Sequence, residues 1–221
     1  MSGDYFTPKE SGDLPLKIFK RNEPCSFIPL NDESLAKRCL GLKLIEVELN
    51  QAILLLGMID DCDQPHQSMA LWHTSIMSYA RCFSKASGRK IKLEETHISG
   101  LNAESVSFHR EIMSLRNDYV AHSGVNDVDK SIMVLCLSPK SKSRAVENFY
   151  YIHLAQMSAH QDAVKKLMRH CEALIPVVIG LRVKTENKYL KIQRSKNVDE
   201  LYQKSYSSEG SSESAFCVHI S

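Results

Sequence analysis

Seven consecutive residues, from Arg116 to His122, combine a cation, an amide and a titratable imidazole in the order Arg-Asn-Asp-Tyr-Val-Ala-His. A guanidinium can hold two phosphate oxygens in a forked geometry. Histidine is the side chain whose unperturbed pKa lets it give and take protons near neutrality. Together these residue types suit the phosphates of RNA or of nucleotides.

The segment ends a stretch whose apolar periodicity predicts a helix over residues 103–121. At about 100° per residue, Phe108 and Ile112 define an apolar face. Arg116 falls on that same face, whereas Asn117 falls on the polar side. An unpaired charge on an apolar face would cost several kcal/mol. The guanidinium must therefore meet a carboxylate, a set of carbonyls, a wet cleft or a ligand phosphate.

Arg116 and His122 are six residues apart, which on an ideal helix leaves their side chains about 120° apart. They share one site only if the helix loosens at its end, or if a second copy of the chain contributes across a two-fold axis. Two structural explanations stand beside the chemical one: Arg116 can pair with a carboxylate of an earlier helix, and His122 can cap a helix C-terminus. Examples of such carboxylates on the first two helices are Glu46, Glu48 and Asp60.

Other side chains could extend such a site along a nucleic-acid backbone. His109 lies seven residues before Arg116, although a histidine on an apolar face is more often a satisfied core group. Lys140, Lys142 and Arg144 lie in a turn region and could touch phosphates, with ordinary solvated cations as the plainer explanation. The remaining histidines lack the spacing of metal ligands, so the sequence predicts neither a metal nor another cofactor.

The elements that must position these residues are mostly helical. A stripe at alternating spacings of three and four predicts a long first helix after a cap at residue 31 or 32, and Pro65 opens a second helix. Ser158 with Gln161 has the pattern of a capping box and opens a fourth. β-branched and aromatic runs predict a hairpin at about 130–155. The predicted fold is mainly α, an antiparallel four-helix bundle with a β-hairpin inserted between helices three and four.

The whole chain divides into three parts. Residues 1–30 contain four prolines and predict an irregular arm, and residues 31–196 form the helical domain. Residues 197–221 are rich in serine and too poor in apolar side chains to build a core, which predicts a disordered tail.

Composition limits the kind of protein this can be. A formal net charge of +2 over 221 residues gives no broad field for nucleic acid, so any such binding must be local. Seven scattered cysteines without a Cys-x-x-Cys pair argue against a secreted disulfide framework. No signal-peptide pattern and no membrane-spanning stretch is visible. The expectation is a protein of the cytoplasm that does not use a membrane.

The segment Leu115-Arg-Asn-Asp-Tyr-Val-Ala-His resembles the motif of the HEPN superfamily, in which Arg is followed by Asn, Asp or His and, some residues later, by His. A bundle of about four helices with this motif near the end of the third is similar to that family as well. The resemblance covers roughly residues 32–195. The arm, the hairpin and the tail lie outside it.

The resemblance implies a metal-independent endoribonuclease that works as a homodimer, often within toxin–antitoxin or phage-defence systems, with an antitoxin or another protein as partner. Arg116 would hold the scissile phosphate, Asn117 would orient it or the histidine, and His122 would assist proton transfer. The motif helices of both copies would form one cleft. Some members of the family keep the fold without cleaving RNA. A catalytically silent module for dimerisation, nucleotide binding or partner binding is therefore the alternative.

Overall fold

The structure, a computed structural model, describes seven ranges of the chain. They are residues 16–30, 33–85, 89–117, 129–138, 146–155, 160–206 and 216–220. Within them the protein is mainly helical, with two small β-sheets. This confirms the predicted predominance of helix.

The long helices begin close to the starts that the sequence pattern predicts. They are α1 (Ser34–Gly57), α2 (Pro65–Phe83), α4 (Ala103–Leu115) and α5 (Gln161–Arg194). Two short helices were not predicted, α3 (Glu95–Ser99) and α6 (Val198–Gln203). Pro176 lies inside α5, and the helix continues on both sides of it.

One apolar core receives side chains from α1, α2, α4 and α5. The predicted stripe of α1 is buried along its whole length, which confirms the assignment; its members are Leu42, Ile45, Leu49, Ala52 and Leu56. The predicted stripe of α5 is also buried, through Leu167, Cys171, Leu174 and Val178. Burying one such Leu or Ile stabilises the fold by about 1.5–3 kcal/mol, so these stripes hold the helices together.

A β-hairpin lies between α4 and α5 in the chain, as predicted. It consists of β3 (Asp129–Leu137) and β4 (Val146–Ala155), paired antiparallel. Several of its apolar side chains are exposed, and Tyr151 is 82% exposed. A two-stranded hairpin is marginally stable by itself. The hairpin therefore exposes large apolar side chains on a pair of strands that is only marginally stable alone.

Contacts divide the chain into two compact units, Lys37–Glu186 and the two ends, Met1–Ala36 with Asn187–Ser221. The predictions of an irregular arm and a disordered tail were wrong for part of these ends. The arm forms β1 (Leu16–Lys20) and β2 (Glu23–Cys25), and the tail forms α6 and β5 (Phe216–Ile220).

The reason for this correction is long-range pairing. Strand β1 pairs antiparallel with β2 and parallel with β5, so its two edges are both used. A parallel pair between residues about 200 positions apart leaves no local pattern in the sequence. Strands of five residues with mixed polarity cannot be recognised in the sequence until the strand that pairs with them is known.

A loop after α2 crosses α1 at Gly41. A Cβ atom added there would collide with the backbone oxygen of Arg89 and with the side chain of Ile91. Beyond the crossing, the Leu93 amide donates to the Cys82 carbonyl at 2.8 Å, and the Leu93 side chain is buried. The absence of a side chain at Gly41 is what lets residues 89–94 lie directly on α1.

No helix among the described residues is long and apolar enough to cross a membrane. All seven cysteines lie within the described ranges, and none of them forms a disulfide bond there.

We expect Gly41→Ala to lower the free energy of unfolding by about 1–3 kcal/mol, because overpacking displaces the loop backbone. Urea unfolding followed by circular dichroism measures this. The control is Gly180→Ala in α5, where an added Cβ would meet nothing within 4 Å. That change should be neutral or stabilising, since alanine favours helix over glycine. Equal stability of the two variants would contradict the close crossing.

Candidate functional site

Helix α4 carries the first residues of the motif. Its start is fixed by Asn102, whose side-chain oxygen accepts a hydrogen bond from the Ser105 amide at 2.7 Å. Its apolar face buries Phe108 and Ile112 against the core. The α4 backbone keeps helical angles at Arg116, whose amide donates to the Ile112 and Met113 carbonyls. The guanidinium therefore leaves the helix from its C-terminal end.

Arg116 is partly buried and Asn117 is exposed. The Nη1 atom of Arg116 donates to the Oδ1 atom of Asn117 at 2.8 Å. The Nε atom of Arg116 is buried and has no hydrogen-bond partner within the described chain. A buried donor left unsatisfied costs about 1–3 kcal/mol. The described residues therefore leave part of the hydrogen-bonding capacity of this guanidinium unused.

Two of the three carboxylates named as possible partners of Arg116 are paired with other cations. Glu46 pairs with Lys43 at 2.5 Å and with Arg182 at 3.1 Å. The hydrogen bond from Lys43 is the main reason that the Glu46 pKa is lowered. Glu48 pairs with Arg81 at 2.6 Å, and Asp60 is exposed.

Within the described ranges Arg116 makes no ion pair. An ion pair between Arg116 and Glu46, Glu48 or Asp60, the structural explanation considered for this residue, is therefore not formed. Its guanidinium has no counter-charge from the described residues.

His109 lies in the core and is only 6% exposed. Its Nδ1 atom is 2.7 Å from the Tyr79 hydroxyl, and its ring packs 4.2 Å from the Phe83 ring, measured between centroids. His109 is thus a hydrogen-bonded core residue, which was one of the two interpretations of this position, and not an extension of the phosphate site. Seven residues of helix separate it from Arg116 by about 10 Å along the axis, so the two do not form one pair.

The Tyr79 hydroxyl also contacts His170, whose Nε2 atom is 2.9 Å away. Tyr79 belongs to α2, His109 to α4 and His170 to α5. A hydroxyl has one proton, so it can donate to only one of the two imidazoles and must accept from the other. One histidine therefore accepts a hydrogen bond from Tyr79, and the other donates one to it. The three side chains form one buried hydrogen-bonded link.

Burial shifts the titration of all three groups. It raises the pKa of Tyr79 far above its usual value, so the phenol stays protonated. It lowers the pKa of His109, and it lowers the pKa of His170 to about 4. All three are neutral at physiological pH, as the hydrogen-bond arrangement requires. Sequence reasoning missed Tyr79 and His170; the signal was available, because both fall on apolar helical stripes where a polar group needs a partner.

Two clefts open on the helical unit, neither of which contains Arg116. The first has a volume of about 940 Å³ and lies beside the loop that crosses α1. The second, of about 510 Å³, lies at the starts of α4 and α5 and is lined in part by Phe108 and His170. Lys166 at its rim pairs with Glu104 at 3.2 Å, and Asp162, Lys165 and Arg169 complete the charged lining. The second cleft is therefore close to charge-balanced.

Four predicted site residues, His122, Lys140, Lys142 and Arg144, lie outside the described residues. Among the residues that the structure does describe, no three His, Cys, Asp or Glu side chains come together as metal ligands. Comparison of the chain with protein-family models, with curated proteins and with solved structures found no match.

The free energy of unfolding should fall as the pH is lowered from about 6.5 toward 4. The folded-state pKa of His170, about 4, lies below the ordinary value of 6.5, so the unfolded chain takes up the proton first. This group alone contributes a loss of about 3 kcal/mol across that window. Urea unfolding at pH 7.5 and at pH 4.5 measures it.

His170→Gln keeps polar atoms near Tyr79 but cannot titrate, so the slope of stability against pH should flatten. The matched control is His66→Gln, an exposed histidine of α2, which should leave the slope as in the parent. A slope in His170→Gln as steep as in the parent would show that this imidazole is not the group responsible.

Proposed function

We propose that the chain is a HEPN-like helical protein of the cytoplasm that cleaves RNA without a metal, as the toxin or effector of a toxin–antitoxin or phage-defence system. Arg116 would hold the scissile phosphate, Asn117 would orient the phosphate or the histidine, and His122 would move the proton. An antitoxin protein would hold the activity in check.

The observation that carries the proposal is the state of Arg116. Its guanidinium lies at the end of an apolar-faced helix, donates one hydrogen bond to the side-chain oxygen of Asn117 and meets no carboxylate of the described chain. A phosphate is the ligand that such a group accepts best, because its oxygens match the guanidinium donors in geometry and charge. The order of the long helices, with the motif near the end of the third of them, further supports the family resemblance.

The chemistry follows from the residue types. Attack of a ribose 2′-hydroxyl on the neighbouring phosphate needs a proton acceptor, a proton donor for the leaving oxygen, and positive charge for the developing phosphorane. An imidazole and a guanidinium supply these roles when both reach the same phosphate. In a dimer the two motif copies would supply acid and base separately.

Purified protein should cleave RNA in the presence of EDTA, and Arg116→Ala should lower the rate by about 100-fold or more, since removing one oriented charge has that effect in comparable reactions. Overproduction should slow growth, and Arg116→Ala or His122→Ala should relieve this. Cleavage of labelled RNA on gels measures the first effect and growth curves the second.

The matched control is Arg110→Ala on the same helix, because Arg110 is exposed and pairs with Glu95 at 2.8 Å. It should keep full cleavage. Circular dichroism establishes that each variant folds. Growth inhibition that persists undiminished in the Arg116→Ala/His122→Ala double variant would reject the nuclease proposal.

A dimerisation module is the second candidate function, and an exposed stripe on α1 favours it. On the side of α1 opposite to the buried residues, large apolar side chains recur at spacings of three and four. They are Leu40, Leu44, Val47, Leu54 and Met58, each between 47% and 65% exposed. With Gln51 completing the pattern, the stripe runs for about 27 Å of helix. Helix α1 is apolar on both faces, as a helix packed between two partners is.

The occupant that fits the stripe is a second copy of α1, lying antiparallel. Lys37 and Lys43 flank the N-terminal half of α1, and Asp60, Asp61 and Asp63 follow its C-terminal end. Antiparallel pairing puts cations of one copy near acids of the other, whereas parallel pairing would stack like charges. The spacing of the stripe is that of a two-helix seam, which is self-complementary across a two-fold axis.

Light scattering at about 50 μM should report a mass near twice the 25.0 kDa of the chain. Leu44→Glu/Leu54→Glu should reduce it to the mass of one chain, because two buried charges cannot be accommodated in an apolar seam. Val183→Glu is the control, since Val183 is exposed on α5 rather than on α1. A parent protein that is monomeric at this concentration, or a double variant that still dimerises, would contradict the α1 interface.

A further inference from the structure

The first cleft combines an apolar floor with a basic rim. Leu42 and Leu93 are buried at its base, and Ile91 and Leu181 line it while remaining partly exposed. The charged residues around it are Arg38, Lys85, Lys90, Lys92 and Glu94. A volume of about 940 Å³ is within the range of roughly 300–1,000 Å³ that small-molecule sites occupy.

The rim carries unneutralised positive charge. Among the described residues that line the cleft, the single carboxylate is Glu94, which pairs with Lys92 at 3.4 Å. Arg38, Lys85 and Lys90 form no ion pair with any residue that the structure describes. Three free cations around one cleft are a local concentration of charge in a protein whose formal net charge is only +2. They would attract an anion and hold it at the mouth of the cleft.

The wall that carries part of this rim is fixed before any ligand arrives. The segment 89–94 crosses α1 at Gly41 and is tied to α2 by the Leu93 amide. Lys90 has a φ of 61°, a left-handed conformation that a lysine seldom adopts. Backbone held in such a conformation is frequent where a loop has to present a side chain to a ligand. Because this loop is already ordered, ligand binding does not have to cost the conformational entropy of ordering it.

We infer that this cleft binds a nucleoside phosphate, with the base and sugar on the apolar floor and the phosphates on Arg38, Lys85 and Lys90. A purely inorganic anion would leave the floor exposed to water, and a purely apolar ligand would leave three cations without partners. A nucleotide satisfies both halves. The site is separate from Arg116 and stands independently of the nuclease proposal. Its ligand is either a free nucleotide or a nucleotide unit of an RNA strand.

Isothermal titration with ATP, adenosine, inorganic tripolyphosphate and a five-residue oligoadenylate tests this directly. ATP should bind with a Kd below about 1 mM. Adenosine and tripolyphosphate should each bind at least about tenfold more weakly, because each engages one half of the cleft. Tighter binding of the oligoadenylate than of ATP assigns the cleft to an RNA strand, and the reverse order assigns it to a free nucleotide.

Arg38→Glu/Lys85→Glu should weaken ATP binding at least about tenfold, since it replaces two attractive charges by repulsive ones. The matched control reverses one lysine and one arginine of the second cleft, Lys165→Glu/Arg169→Glu. It should leave ATP binding within about twofold of the parent. Circular dichroism and thermal unfolding establish that both variants fold.

The inference is overturned if neither ATP nor the oligoadenylate binds up to about 1 mM, or if the Arg38→Glu/Lys85→Glu variant binds them as well as the parent does. Arg116→Ala separates this result from the nuclease. It should keep ATP binding whether or not RNA cleavage is found, so a failure of either proposal is recognised without the other.

Discussion

The Tyr79 hydroxyl, held between His109 and His170, is the interaction on which the arrangement of the helical unit depends. It joins α2, α4 and α5 inside an apolar core, where a polar group without a partner is costly. Apolar packing alone tolerates sliding of one helix along another, whereas a pair of hydrogen bonds of 2.7 and 2.9 Å fixes the register. Because α4 is one of the linked helices, the link also sets where the guanidinium at its end emerges.

The functions proposed for this protein rest on local charge rather than on total charge. With a net charge of +2, the chain has no general attraction for nucleic acid. Charge is instead concentrated or left unpaired at particular places. Among the residues that the structure describes, Arg116 has no carboxylate partner, and three cations of the first cleft form no ion pair. Arg81 and Arg182, by contrast, are neutralised by glutamates of α1. The unneutralised groups are therefore the ones that suggest a ligand.

The helical part of the fold was largely predictable, because period and caps are local properties. The stripe from Leu42 to Leu56 is buried as its spacing requires, and Pro65 stands at the first position of α2. The hairpin was predictable from its β-branched and aromatic runs. The terminal sheet was not, because the pairing of β1 with β5 joins segments at opposite ends of the chain. The second apolar stripe of α1 was missed, although its spacing can be recognised in the sequence as readily as that of the first.

The sequence by itself determined where the long helices lie, which of their faces are apolar, and that Arg116 stands on an apolar face beside Asn117. Each of these follows from residues within a few turns of one another. Only the tertiary structure decided the partners: that Glu46 and Glu48 are engaged by other cations, that His109 meets Tyr79 and His170, and that a loop pressed against Gly41 completes a basic-rimmed cleft. Such contacts join residues distant in the chain, and their energies depend on distances that no local pattern encodes.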